Sequence, residues 1–350
     1  RRPVRPERMR QLRSPAMTID SQDTTSPGVA AVRRLLRLEP PTLDRDEVAE
    51  LTGVPHDRSV RWWRAMGFPE VAPGEKAFRP RDVEMVERLL DLMRADIVDE
   101  DEVLRLARLM GATFSRLVEA QLDVIDEIFT SSEPGGSSRR IDIDALAAAS
   151  DTDIVETLET TLLYVWRRHL LAALGRRLNV DEEGGDEVIG FVDLSGFSRV
   201  SKKATSTQIA AIIETFETVA FDVISAHEGR VVKLIGDEVM FLTRTVDDAV
   251  AIGLELVTRL APDPIMPGVH CGIAAGPTVT VGGDVFGPTV NLAARLTDVA
   301  RSGTIAMPAE LLDELTDPAN LDIRRVRRTY DLKGVGRTSI IAIRPPRRRA

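Results

Sequence analysis

The sequence predicts an α+β protein in two parts, an all-α N-terminal half and a C-terminal half with the ferredoxin-like order β-α-β-β-α-β. Three observations predict this. The 350 residues exceed what one ordinary core holds, so two domains are expected. From about 29 to 178 apolar residues recur at spacings of three and four. After 186, apolar runs of strand length alternate with amphipathic helices.

Residues 1–28 hold six arginines in the first twenty positions, with no apolar stretch behind them. That is a disordered basic arm rather than a secretory signal. Residues 29–180 form the helical domain. Val83, Val86, Leu89, Leu90 and Met93 mark one apolar face; Val103, Leu104, Leu106, Ala107 and Met110 mark another. Pro55, Gly67-Phe68-Pro69 and Pro73-Gly74 separate the pieces. The stretch 131–138 reads as a flexible loop. A helix over 151–178 carries Ile154, Leu158, Leu162, Val165 and Leu171 and runs toward the second domain at 186–343. The junction is Asp181-Glu182-Glu183-Gly184-Gly185, and 344–350 is a basic tail.

In the second domain Val188 to Leu194 reads as a buried strand. Gln208 to His227 is a helix stopped by Gly229. Arg230–Ile235 and Glu238–Thr243 form a hairpin turning at Gly236-Asp237. A helix follows at 247–260, one strand at 268–281, a helix at 289–300, and short strands near 304–307, 322–332 and 338–343.

The composition is that of an ordinary globular protein, 43% apolar and 29% charged. A formal net charge of −9 argues against general nucleic-acid or anionic-membrane binding. One cysteine, Cys271, permits no intrachain disulfide; it lies in an apolar strand and reads as core rather than nucleophile. No apolar run has transmembrane length. Together these point to a cytoplasmic protein.

Candidate chemistry lies in the second domain. Asp193 ends the apolar run Val188–Val192, just before the small loop Leu194-Ser195-Gly196-Phe197. A carboxylate at a strand mouth suits a cation that bridges phosphates, although capping a turn is the commoner role. Asp237 sits at the hairpin tip, where Gly-Asp is also ordinary turn chemistry. If the hairpin pairs beside the Asp193 strand, both carboxylates reach one site and suit two cations. Glu238 falls on the other side of its strand by the period of two and is left out. Asn291 and Arg295 are four apart and share a helix face, with Ala293 and Ala294 between them allowing close approach.

These residues carry a resemblance. Phe191-Val192-Asp193-Leu194-Ser195-Gly196-Phe197, Lys233-Leu234-Ile235-Gly236-Asp237, Asp284 through Arg295, and Leu332-Lys333-Gly334-Val335-Gly336 resemble, in order and spacing, the catalytic domain of class III nucleotide cyclases. The resemblance spans 186 to about 343. It implies an adenylate cyclase that makes 3′,5′-cyclic AMP and pyrophosphate from ATP. It implies Asp193 and Asp237 as ligands of two divalent cations, Mg²⁺ or Mn²⁺, and Lys233 with Asp284 as base readers. Asn291 and Arg295 are implied as transition-state residues, Lys333 as a triphosphate contact and Leu194–Phe197 as the phosphate loop. It further implies a homodimer whose sites are shared, the two metal ligands coming from one chain and the others from its partner. Chemistry agrees on the base: a lysine only donates and a carboxylate only accepts, which complements adenine and mismatches guanine.

Residues 42–94 resemble a MerR-type winged helix-turn-helix: Asp46–Val54 fits the first two helices, Val60–Phe68 the next segment, Phe78–Val83 the following helix start. From Leu43 to Arg94, nine Lys and Arg stand against eleven Asp and Glu, a net of −2, where a DNA reader has a basic face. Trp62 and Trp63 read as core and pocket wall. The half is expected to regulate the cyclase through the 151–178 helix, and His169 on it is a candidate for a response to mild acid, although a solvent-exposed His is the commoner case. The rival readings are a nucleotide-sensing DNA-binding regulator with an inactive cyclase-like domain, a guanylate cyclase, and a plain ferredoxin-like interaction domain.

Overall fold

The computed structural model describes residues 32–33, 35–129, 154–178, 187–263, 266–326, 330–332 and 336–345. The 1–28 arm, the 131–138 loop, the 181–185 junction, Lys333 and residues 346–350 lie outside the described residues. The chain divides into two compact units, Arg1–Leu174 and Gly175–Ala350.

The first unit is helical: α1 (Arg45–Thr52), α2 (His56–Ala65), α3 (Pro80–Arg94), α4 (Glu100–Phe129) and the start of α5 (Ile154–Leu178). Asp44 caps α1 through the amides of Asp46 and Glu47, and Glu47 returns a bond to the Asp44 amide. Leu43 and Phe78 form one isolated β-bridge ahead of α3. Among the described residues of this unit that bridge is the sole β pairing. Trp62 is buried with Val54, Val86 and Leu90, and its indole N–H donates to Glu100. Trp63 meets Phe68 at a tilt and Phe78 edge-on. Both line an apolar cavity with Val48, His56, Met85 and Val86. No residue of α5 is buried, and His169 is exposed on it.

The second unit is built on a seven-stranded sheet. Its strands are β1 (Glu187–Leu194), β2 (Arg230–Ile235), β3 (Glu238–Thr243), β4 (Val269–Gly276), β7 (Ile305–Pro308), β8 (Asp322–Arg325) and β11 (Ile340–Arg344). Their order is β2-β3-β1-β4-β7-β11-β8. Two hairpins stand apart, β5 (Val279–Val281) with β6 (Asp284–Phe286), and β9 (Tyr330–Leu332) with β10 (Gly336–Thr338). The helices are short α6 (Phe197–Val200), α7 (Ser206–Ala226), α8 (Val246–Arg259) and α9 (Pro288–Val299). The run β1-α7-β2-β3-α8-β4 is the ferredoxin-like order the sequence predicts.

β1 reads as a continuous apolar run because both its faces are covered. Val188, Val192 and Leu194 pack with Ile212, Phe216 and Val223 of α7 and Ile252 and Leu256 of α8. Ile189 and Phe191 pack on the opposite face with Ala293 and Leu296 of α9. Thr205 starts α7 with a capping box to Gln208. That helix ends at Ala226, and the left-handed residue after it is Glu228, φ 56°, rather than Gly229.

The strand expected over 268–281 is two strands. Pro277 has no amide to continue the ladder, so β4 stops at Gly276 and β5 begins at Val279. Gly282 and Gly283 then turn β5 into β6 with φ of 61° and 84°, a conformation that disfavours residues with a Cβ. Arg344, expected in the tail, is the last residue of β11.

Close packing sets where α9 lies. A Cβ at Gly272 would come within 2.3 Å of the Thr297 amide nitrogen and 2.4 Å of the Ala293 carbonyl. Gly272→Ala is therefore expected to push α9 off β4, lowering stability by about 1–3 kcal/mol. The readout is the chemical-denaturation midpoint beside that of the wild-type chain.

Candidate active site

The site grows from the end of β1. In the β1–β3 pairing Asp193 stands opposite Glu238; in the β1–β4 pairing it stands opposite His270. Directly opposed residues share a sheet face. Glu238, Asp193 and His270 therefore form one polar row across three strands, on the same face as Ile189 and Phe191. The hairpin turn brings in Asp237, whose carbonyl accepts the Leu194 amide at 3.1 Å.

Burial, then the charge of Asp237, push the Asp193 carboxyl up to about 7. Burial, then the charge of Asp193, push Glu238 up to about 7 as well. Asp298, near the end of α9, adds negative charge to both. Burial holds His270 below its ordinary value. Acids crowded this way are costly unless cations or protons offset them.

The donor set fits divalent cations in one particular manner. Among the described residues no three His, Cys, Asp or Glu side chains converge to hold a metal unaided. Cations at Asp193 and Asp237 would complete their shells with substrate phosphates and water, the usual arrangement for Mg²⁺.

The omission of Glu238 is corrected by the register. The period of two separates Glu238 from Asp237 only if both lie in the strand. Asp237 belongs to the turn, while Glu238 is the first residue of β3 and faces Asp193. His270 and Asp298 also went unread in the sequence. The hairpin register pairs Glu238 with Ile235, and only the β1–β3 pairing sets it opposite Asp193. His270 carries no local signal, because only the β1–β4 pairing brings it to Asp193.

The base-reading candidates meet elsewhere on the unit. Lys233 of β2 donates from Nζ to Asp284 Oδ2 at 2.7 Å, and the Val285 amide donates to Asp284 Oδ1 at 2.8 Å. Against the opposing effect of burial, the Lys233 bond and that amide hold the Asp284 carboxyl below its usual range. The Lys233 ammonium lies 5.7 Å from the centre of the Phe286 ring. Asn291 and Arg295 are both exposed on α9, and Arg295 Nη1 donates to Asp298 Oδ2 at 2.9 Å. Lys333 lies outside the described residues.

The loop Leu194–Phe197 offers fewer amides than its length suggests. Those of Leu194 and Ser195 are committed to the Asp237 and Gly268 carbonyls. The next two amides are those of Gly196, φ 71°, and Phe197 at the start of α6. Cys271 is fully buried, and burial pushes its thiol up, away from nucleophilic use.

Comparison with known proteins now decides the family. Residues 181–343 match the adenylate and guanylate cyclase catalytic domain. Over 274 residues the chain is 36% identical to an adenylate cyclase of Streptomyces coelicolor, covering 77% of this chain and 70% of that one. The chain belongs to the class III nucleotide cyclase family. An adenylate cyclase of Streptomyces griseus is 35% identical over 274 residues, 77% of this chain and 67% of that one. One of Glutamicibacter nicotianae is 29% identical over 327 residues, 88% of this chain and 79% of that one. The relatives' similarity thus reaches past this cyclase's catalytic unit into the helical one. No helix among the described residues is long and apolar enough to cross a membrane.

The crowded acids predict a pH dependence of stability. In the folded chain Asp193 and Glu238 bind protons more tightly than in the unfolded chain, so stability falls as pH rises from about 4 toward 7. His270 acts oppositely, one group against two. In a metal chelator the melting temperature should therefore drop between pH 5.5 and 7.5. Asp193→Asn should reduce the drop, and millimolar Mn²⁺ should abolish it; calorimetry at several pH values checks this.

Proposed function

We propose that this protein is an adenylate cyclase converting ATP to 3′,5′-cyclic AMP and pyrophosphate at sites shared between two identical protomers. The observation that carries the choice of ATP is the Lys233–Asp284 pair. In the absence of substrate the two groups satisfy each other at 2.7 Å. Adenine replaces that bond by two: its N1 accepts from Lys233 and its 6-amino group donates to Asp284. Guanine would set a carbonyl against the carboxylate and an N–H against the ammonium, leaving both charges mispaired.

The ribose 3′-hydroxyl attacks the α-phosphorus in line with the leaving pyrophosphate. Asp193 and Asp237 hold two divalent cations, Mg²⁺ or Mn²⁺. Such cations lower the pKa of the hydroxyl and neutralise phosphate charge. The Gly196 and Phe197 amides meet phosphate oxygens. Asn291 orients the ribose, and Arg295 leaves Asp298 to meet charge growing on the transferring phosphoryl group. Lys333 meets the triphosphate.

Exposed apolar surface supports the shared site. Around the base readers Val279 is 61%, Val281 60% and Phe286 49% exposed, with Leu234 and Ile235 also exposed. Along α4, Leu106, Met110, Phe114, Val118 and Leu122 are exposed at a spacing of four, and α5 exposes Leu158, Tyr164, Trp166 and Leu171. Clustered apolar surface of this kind marks a contact surface. One protomer gives Asp193 and Asp237; its partner gives Lys233, Asp284, Asn291, Arg295 and Lys333. The helical unit regulates the pairing, and α5 is suited to the task because one helix runs from the first unit into the second.

The test is the purified chain with ATP and Mn²⁺, assayed for cyclic AMP. Asp193→Ala and Asn291→Ala proteins should each be inactive and regain about a quarter to half of wild-type activity when mixed, since a mixed dimer keeps one intact site. Mixtures that stay inactive while mixed dimers form would refute the shared site. A truncation starting near 180 should differ from the full chain in specific activity; equal activity would remove the regulatory role.

A further inference from the structure

His270 has two polar contacts on opposite sides of one ring. Its Nδ1 lies 3.0 Å from Ser195 Oγ, and its Nε2 lies 3.4 Å from Asp193 Oδ2. The side chain is only 13% exposed. A neutral imidazole satisfies both contacts in one tautomer: the Ser195 hydroxyl donates to Nδ1, and Nε2–H points at the carboxylate. The start of β4 grips Ser195 a second time, because the Ser195 amide donates to the Gly268 carbonyl at 2.9 Å. The ring stands in the polar row with Asp193 and Glu238.

We propose that His270 is a positioning residue of the cation site, fastening the Asp193 carboxylate to the Ser195 hydroxyl so that strand end and phosphate-facing loop form one rigid unit. The proposal depends on the reading of Asp193 as a cation ligand. Asp193 is the last residue but one of β1; the Leu194 amide and the Asp237 side chain also reach its carboxylate, and His270 closes in from the neighbouring strand. A polar partner behind a ligand restricts its rotation before the cation arrives, and loss of such a partner typically costs 10–100-fold in metal affinity. Ser195 joins the same unit, so the cation site and the amides of Gly196 and Phe197 keep a fixed spacing, which the transferring phosphates require.

The test is a titration of the full chain with Mn²⁺ alone, followed by the electron paramagnetic resonance signal of the free ion, beside cyclase kinetics. His270→Ala should raise the half-saturating Mn²⁺ concentration on the order of tenfold. His270→Gln should stay within about threefold of wild type, since one amide both donates and accepts. Ser195→Ala, which keeps the ring but loosens it, should fall between them. In the assay His270→Ala should raise the Mn²⁺ activation constant more than the KM for ATP. Unchanged Mn²⁺ affinity in His270→Ala overturns the proposal. So does equal loss in the Ala and Gln variants alongside equal drops in melting temperature, which marks a merely structural ring. If His270→Ala does not fold, the Gln and Ser195→Ala titrations decide on the same terms. A wild-type chain that binds Mn²⁺ yet makes no cyclic AMP would sink the cyclase reading alone, because the titration needs no turnover.

Discussion

The central constraint is the burial of β1 on both faces. Val188, Val192 and Leu194 are fixed against α7 and α8, and Ile189 and Phe191 against α9. A slip of one residue would exchange these sets and turn Asp193 to the α7–α8 side. The apolar core thereby pins a carboxylate at a strand end, in line with Glu238 and His270 on its two neighbours. Three polar groups in a row at the edge of a core cost free energy as they stand. Under the proposed function, bound cations and substrate would offset that cost.

α9 obeys the same geometry from the other side. Its close seat on Gly272 of β4 fixes the helix on which Asn291 and Arg295 are exposed. Those two side chains point away from the packed face, as side chains meant for a ligand or a second protomer do. The apolar hairpin β5–β6 beside the Lys233–Asp284 pair has the same character, since Val279 and Val281 make little use of this chain's own core. In the shared-site proposal, this exposed apolar surface is where two copies meet.

Much of this was legible in the sequence because strand period and hairpin chemistry are local. β2 and β3 fall where the Gly236-Asp237 turn places them, and the Asp193–Asp237 pairing follows once β1 lies beside that hairpin. What was not legible depends on register between distant strands. Glu238 was left out because its side was judged from the strand period alone, whereas the β1–β3 register sets it opposite Asp193. His270 is 77 residues from Asp193 in sequence, and only the β1–β4 ladder joins them (270 − 193 = 77). The break at Pro277 was missed because apolar residues continue on both sides of it. In the helical unit the sequence reading of α4 stopped at Met110, although the same spacing of four continues through Phe114, Val118 and Leu122.

The most direct measurement is anomalous diffraction from Mn²⁺ in crystals grown with a non-cyclisable ATP analogue. The account predicts manganese within coordination distance of both Asp193 and Asp237 of one protomer, with the adenine against Lys233 and Asp284 of its partner. Manganese on neither carboxylate, or a base held by the protomer that binds the metal, would contradict it.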